Sequence, residues 1–237
     1  MPLGLGTQIG KGGLITPGIV TSNLQLKHNY NTGAVVPVSD GAVYMASTEG
    51  LSITEKTYDV DGTACSFVFW IKEVSGNNYC AILGHTSESD HKFIVLPNAA
   101  NNQLVMDGDT DNNLAKSDLN DTDLTKWHHF AITTNGSGGV KMYQNGVQLE
   151  TSTDATISVN ITFNQIGRRG SGSAGFGGYI CNLGTWEGNE LTQPEIKSIM
   201  WKTYTELSST EKENMVAWWN LSEDFNDSHG SNNGSAV

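Results

Sequence analysis

The chain reads as an all-β protein built of short antiparallel strands, a sandwich or a barrel. Three observations predict this. Short apolar-alternating runs are separated by turn signals that recur at the 8–12-residue spacing of such folds. Asn145-Gly146 stands between the alternating runs at 140–144 and 147–151. Asn-Gly is the strongest short hairpin signal, because both central residues of a type I′ turn need positive φ. Residues 66–72, SFVFWIK, are apolar on both alternating sets, as a central strand covered on both faces must be.

Composition narrows the function. The 237 residues carry 13 Lys and Arg against 25 Asp and Glu, a net charge of −12. That balance argues against sequence-independent binding to nucleic acid, which needs basic residues at phosphates. No apolar run approaches the ~20 residues that span a bilayer, so no membrane partner is expected. The N-terminus, MPLGLGTQIGKGG, lacks the charged and apolar regions of a secretory signal. Cys65, Cys80 and Cys181 are odd in number and far apart, which favours buried free thiols and folding in a cytosol.

In chain order, residues 1–22 form an extended Gly-rich arm and residues 23–237 the sandwich. The arm fails as a nucleotide motif: Gly4 and Gly6 are followed by Ile9 where GxGxxG needs its third glycine. Its apolar residues Leu3, Leu5, Ile9, Leu14, Ile15 and Ile19 leave two readings. One is a flexible tail; the other is an assembly arm that orders against a neighbouring subunit. Strands are expected at 43–46 and 51–54, through the central run, and at 79–83, 92–96 and 103–106. A meander over 127–151, with strands at 127–134, 140–144 and 147–151, and further strands at 157–166 and 179–186 follow. Thr192 and Glu195 then make a capping box with Pro194 in the first turn of a helix. A second short helix is expected near Ser209, and MVAWWNL at 215–221 as a last strand.

Two acidic sites carry candidate chemistry. Glu88-Ser89-Asp90 starts the E-x-D-x-x-E pattern of sandwich glucanases, but its last position is Phe93, so the carboxylate set is incomplete. Asp107, Asp109, Asp111 and Asp118 match positions 1, 3, 5 and 12 of a calcium loop. The sixth position, Asn112, departs from the expected glycine, and strands flank the loop where helices are usual. Calcium is therefore the one cofactor to test. The other candidates are Trp186, Tyr179 and Tyr143 as sugar-stacking aromatics. Arg168 and Arg169, the only adjacent basic pair, join them as candidate carbohydrate-binding residues, suited to a carboxylate or phosphate group.

WHHFAIT, VKMYQNGVQL and GFGGYICNLGTWEGNELTQPEIKSIM, in that order, resemble the laminin-G-like branch of the concanavalin A-like lectin/glucanase superfamily. The resemblance covers roughly Val43 to Leu221. It implies a jelly-roll sandwich of two antiparallel sheets. Calcium-binding members use acidic residues near the early strand and in the Ile-Asp strand. Those places read Met45-Ala46-Ser47 and Ile180-Cys181-Asn182 here and lack the carboxylates. The segment from Met215 looks like the opening strand of such a domain. Either it closes a permuted sandwich or a second domain once followed it.

The N-terminal pattern is similar to bacteriophage virion proteins that carry this module behind an arm. From these likenesses we expect a non-enzymatic virion structural protein, a capsid decoration or fibre-like module, folded in the host cytoplasm. Its partners would be other capsid or tail subunits and further copies of itself. The alternatives are a carbohydrate-binding module for host surface polysaccharide and, behind it, a glycan hydrolase.

Overall fold

The computed structural model describes residues 35–39, 41–74, 80–87, 92–95, 102–107, 114–153, 157, 159–170 and 175–237. The arm residues Leu3, Leu5, Ile9, Leu14, Ile15 and Ile19 lie outside the described residues, as do Glu88, Asp90, Asp109 and Asp111. The strands are β1 (Val43–Met45), β2 (Leu51–Tyr58), β3 (Ala64–Glu73), β4 (Ala81–Gly84), β5 (Lys92–Val95), β6 (Gln103–Asp107) and β7 (Leu114–Asp118). They continue with β8 (His128–Asn135), β9 (Val140–Gln144), β10 (Val147–Gln148), β11 (Thr151–Thr153), β12 (Ile161–Ile166) and β13 (Gly178–Glu187). Helix α1 (Gln193–Ile199) follows, then β14 (Met215–Trp219) and β15 (Ser235–Ala236).

Two antiparallel sheets form a sandwich. The first has the order β1-β13-β3-β8-β9-β10, with β14 also paired to β13; the second runs β11-β7-β6-β5-β4-β12-β2-β15. The expected all-β sandwich is the observed fold. The central run is β3, hydrogen-bonded to β13 on one side and β8 on the other. It is buried from Cys65 to Ile71. Phe67, Phe69 and Ile71 face the inter-sheet core, while Val68 and Trp70 face the opposite side and belong to separate apolar clusters.

Tyr58 ties the sheets together. Its ring stacks on Phe163 at 5.3 Å and meets Phe67 edge-on at 5.1 Å. Its hydroxyl crosses the core to donate to Thr185 Oγ1 at 2.9 Å, and burial raises its pKa far above the ordinary phenol value.

The outer face of the first sheet is roofed by the chain after β13. Glu195 accepts from the Thr192 backbone N–H at 2.7 Å and its hydroxyl at 2.6 Å, starting α1. The helix buries Ile196 and Ile199 against Val68, Ala131, Tyr143, Trp186 and Trp218. The helix expected near Ser209 is instead a 3-10 turn at Tyr204–Glu206 followed by single hydrogen-bonded turns. Too little chain remains there for a helix, because Asn214 takes φ 59 and β14 starts at the next residue.

Two further differences are topological. The third strand of the expected meander pairs with β9 over two residues only; the chain then crosses to the second sheet, where β11 pairs with β7. The strand expected over 157–166 is confined to Ile161–Ile166, with Ile157 buried ahead of it. The C-terminal segment pairs within its own chain, β14 with β13 and β15 with β2. Among the described residues no helix is long and apolar enough to cross a membrane.

Glu211 fastens the roof. Burial would raise its carboxyl, yet donors from Lys202 at 2.6 Å, Ser198 at 2.7 Å and Ser208 hold it down to about 2. We expect Glu211→Gln to destabilise the fold by about 1–3 kcal/mol, because half-buried Lys202 loses a charged acceptor. Urea denaturation at pH 7 measures this. The wild-type advantage should fade as pH falls from about 4.5 to 2, since the folded carboxyl titrates below the unfolded one.

Candidate aromatic site on the first sheet

The roof does not reach one end of the first sheet. In β1, Tyr44 stands opposite Tyr179 of β13, and Tyr179 stands opposite Lys72 of β3. Their neighbours Met45, Ile180 and Ile71 point into the core, so strand alternation places Tyr44, Tyr179 and Lys72 together on the outer face. Trp127, immediately before β8, completes the row. Ring centroids are 5.2 Å apart for Tyr44–Tyr179 and 6.2 Å for Trp127–Tyr179, with tilts of 56° and 51°. Tyr44 is 46% exposed, and Tyr179, Lys72 and Trp127 are half-buried.

The row has two different ends. Trp127 packs in the small cluster with Trp70, Met200 and Trp201. Trp70 Nε1 donates to the Met200 carbonyl at 3.0 Å, which anchors the end of the roof there. At the other end a groove of about 490 Å³ opens beside Tyr44, lined also by Thr48, Glu49, Phe225 and Val237. Three tilted rings give a stepped apolar surface, and two phenols, one ammonium and the Glu49 carboxylate at its edge supply hydrogen bonds. Such a surface suits a ligand with apolar C–H faces and many hydroxyls.

The expected site residues divide. Tyr179 lies in the row. Trp186 is fully buried: its Nε1 donates to the Glu211 carbonyl at 2.9 Å, and its ring meets Trp218 edge-on at 6.1 Å. Tyr143 is 3% exposed beneath the roof cluster. The expectation that these two contact sugar is corrected, because α1 and the following turns cover their face of the sheet. Arg168 and Arg169 follow β12 and are half-buried at the sandwich end.

The expected calcium loop is also revised. The β6–β7 register sets Asp118 opposite Gln103 and Asp107 opposite Leu114, at opposite ends of the hairpin. Four residues of strand separate them, about 13 Å, so they do not share one ion. Asp118 instead accepts from Gln103 Nε2 at 2.7 Å. In the Ile180-Cys181-Asn182 stretch, burial pushes the Cys181 thiol up to about 12, and Asn182 donates to the Val38 carbonyl at 3.0 Å. Among the described residues no group of three potential ligands gathers around a metal position.

Tyr44, Lys72 and Trp127 were missed by sequence reasoning. Their signal was weak, since single aromatics in strands are usually core. Only the pairing register brings these three onto one row.

A family model described as the concanavalin A-like lectin/glucanases superfamily matches residues 45–197. The chain belongs to that superfamily. As a laminin-G-like member it shares the fold of a Bacteroides ovatus ATCC 8483 protein provisionally described as carbohydrate binding, at 16% identity and a TM-score of 0.56. That match covers 81% of this chain and 58% of the other, so the chain spans little more than half of that protein. A Ruminococcus gnavus IT-sialidase CBM40 is similar at 18% identity and a TM-score of 0.49, over 68% of this chain and 97% of the other. No curated protein matches the chain.

The Trp-His-His and Tyr-x-Asn-Gly motifs of the superfamily act on structure here. Asn145 and Gly146 take φ 52 and 73 at the hairpin turn. His128 Nδ1 faces the Asn145 and Gln144 amides at 3.1 and 3.3 Å, and its Nε2 lies 3.1 Å from the Asp123 carbonyl. The first pair fixes Nδ1 as acceptor and Nε2 as donor. His129 is buried beside Trp70, and burial lowers its pKa to about 3, so it is the uncharged imidazole at neutral pH.

Because the unfolded value lies near 6.5, the unfolded chain takes up this proton first. The His129 contribution is present above pH 6.5 and is lost as pH falls toward 3. We expect His129→Phe to lessen the fall of stability between pH 6 and 4 by up to about 1.4 kcal/mol per pH unit, measured by denaturant titration at each pH.

Proposed function

We propose that this chain is a non-enzymatic, lectin-like module whose outer-face row Tyr44–Tyr179–Trp127 stacks on the sugars of a surface polysaccharide. The observation that carries this reading is the continuity of the row: Tyr44 and Tyr179 on the adjacent strands β1 and β13, then Trp127 across Lys72 of β3, left open where the roof ends. Membership of a superfamily of lectins and glucanases supports a glycan as ligand. Phe93 at the third carboxylate position, and a neutral buried His129, support binding over hydrolysis.

We further propose that the module is carried on a bacteriophage particle as a capsid decoration or fibre-like structural protein, folded in the host cytoplasm. The apolar, Gly-rich segment 1–22 would dock on other virion subunits, with copies of the chain associating with one another. The resemblance of the N-terminal sequence to virion proteins favours this setting, and the net charge of −12 favours a surface-exposed protein over one bound to the packaged nucleic acid.

Glycan-array screening followed by calorimetry tests the first reading. Tyr44→Ala should weaken binding by up to about tenfold while lowering the melting temperature only slightly, because Tyr44 is 46% exposed on the outer face. Absence of any bound glycan, or full affinity in the variant, sinks the row as the site. Deleting residues 1–22 tests the second reading: incorporation into particles should be lost while the sandwich keeps its melting temperature. Undiminished incorporation would refute the docking arm.

A further inference from the structure

Arg168 and Arg169 are the only arginines in the 237-residue chain, and they are adjacent. Although the chain carries 25 carboxylates, neither guanidinium makes an ion pair or a hydrogen bond through its Nε among the described residues. The Nε of each is buried without a partner. A buried N–H left without an acceptor is costly. A protein with this many acidic side chains has ample means to satisfy two half-buried cations. Six buried side-chain polar atoms lack partners among the described residues, and three of them fall within five residues: Gln165 Oε1, Arg168 Nε and Arg169 Nε.

The turn that carries the pair is held from all sides. Gly167 takes φ 74 and Gly170 φ 62. The Gly167 N–H donates to the Ile82 carbonyl, the Gly170 N–H to the His85 carbonyl, and the Phe176 N–H to the Gly167 carbonyl, each at 2.8 Å. Arg168 packs on the β2 side, where a Cβ on Gly50 would stand 2.6 Å from the Arg168 Cβ. Arg169 packs on the β4 side, where a Cβ on Gly84 would stand 3.0 Å from its own Cβ. Glycine at 50 and 84 therefore makes room for both arginine stems beside the end of β12. The turn also packs against the core side of the two strands that carry the aromatic row. A Cβ on Gly167 would collide with Met45 Sδ and come within 3.5 Å of Ile180 Cδ1, the core-side neighbours of Tyr44 and Tyr179.

We propose that Arg168 and Arg169 form a recognition site for the carboxylate of an acidic sugar. The proposal rests on the glycan-binding reading above and gives it a substrate class. Guanidinium donors suit a planar carboxylate better than an ammonium does. A net charge of −12 opposes a polyphosphate ligand while leaving a local site for a single carboxylate.

The test compares an oligosaccharide carrying a single hexuronic acid with the same oligosaccharide after that carboxylate is reduced to an alcohol, by calorimetry on the full chain at low salt. Wild type should bind the acidic form about tenfold or more tighter, the worth of one charge-assisted contact. Arg168→Gln and Arg169→Gln should each shrink that preference, and the double variant should remove it while keeping the affinity for the reduced form. Tyr44→Ala should instead weaken both forms alike.

Equal wild-type affinity for the two forms, or a preference that survives in the double variant, overturns the proposal and leaves the aromatic row standing. If neither form binds, melting temperatures in sodium glucuronate and in glucose with sodium chloride, at matched ionic strength, decide. A rise with glucuronate that the double variant lacks supports the site, and no rise in wild type overturns it.

Discussion

The strand Ala64–Glu73 imposes the arrangement of the rest. Its buried stretch presents Phe67, Phe69 and Ile71 to one side and Val68 and Trp70 to the other. Each such side chain is worth roughly 1.5–3 kcal/mol when buried. One packed sheet satisfies only the first set. The second set needs a cover, and the chain after β13 supplies it. Even the polar members of that face are served by the cover: Ser66 Oγ donates to the Asn189 carbonyl and accepts from the Leu191 N–H, at 2.8 and 2.9 Å. The helix, the turns and β14 are thus consequences of a strand that is apolar on both faces.

Where the cover stops, a different surface begins. Trp70 is the last fully buried aromatic of that face, held by the Met200 carbonyl at the end of α1. Two residues along the strand Lys72 is half-buried, and Tyr179 and Tyr44 continue the row outward. The same chemistry, aromatic side chains on the outer face, is therefore core under the roof and candidate binding surface beyond it. This explains why Trp186 and Tyr143 stabilise while Tyr44 and Tyr179 stand available to a ligand.

The motifs that mark the superfamily are mostly structural in this chain. Gln144 accepts from the Asn120 and Asp121 N–H groups at 2.9 Å each and donates to the Asp121 carbonyl at 2.7 Å. Asn145 accepts from the His129 N–H at 2.9 Å. With His128 they stitch the loop before β8 to the hairpin after it, satisfying backbone groups that burial would otherwise strand. Their presence specifies the fold and leaves function to surfaces that the motifs do not name.

Much of the architecture was legible from the chain alone. Alternation, the Asn145-Gly146 turn, the Thr192 cap and the doubly apolar run at 66–72 each act locally, through φ preferences and side-chain period, and each appears where those local forces put it. What depends on pairing register was not legible. Nothing local says that Tyr44 lies beside Tyr179 across 135 residues, or that Asp107 and Asp118 are held at opposite ends of a hairpin. Nor does local sequence show that Trp186 lies under a helix formed after it. The arginine pair was visible as a pair, but its orphaned Nε atoms and its glycine-lined seat exist only once β2, β4 and β12 are side by side. Local sequence determined the elements; their long-range packing decided which side chains became core and which remained open to bind.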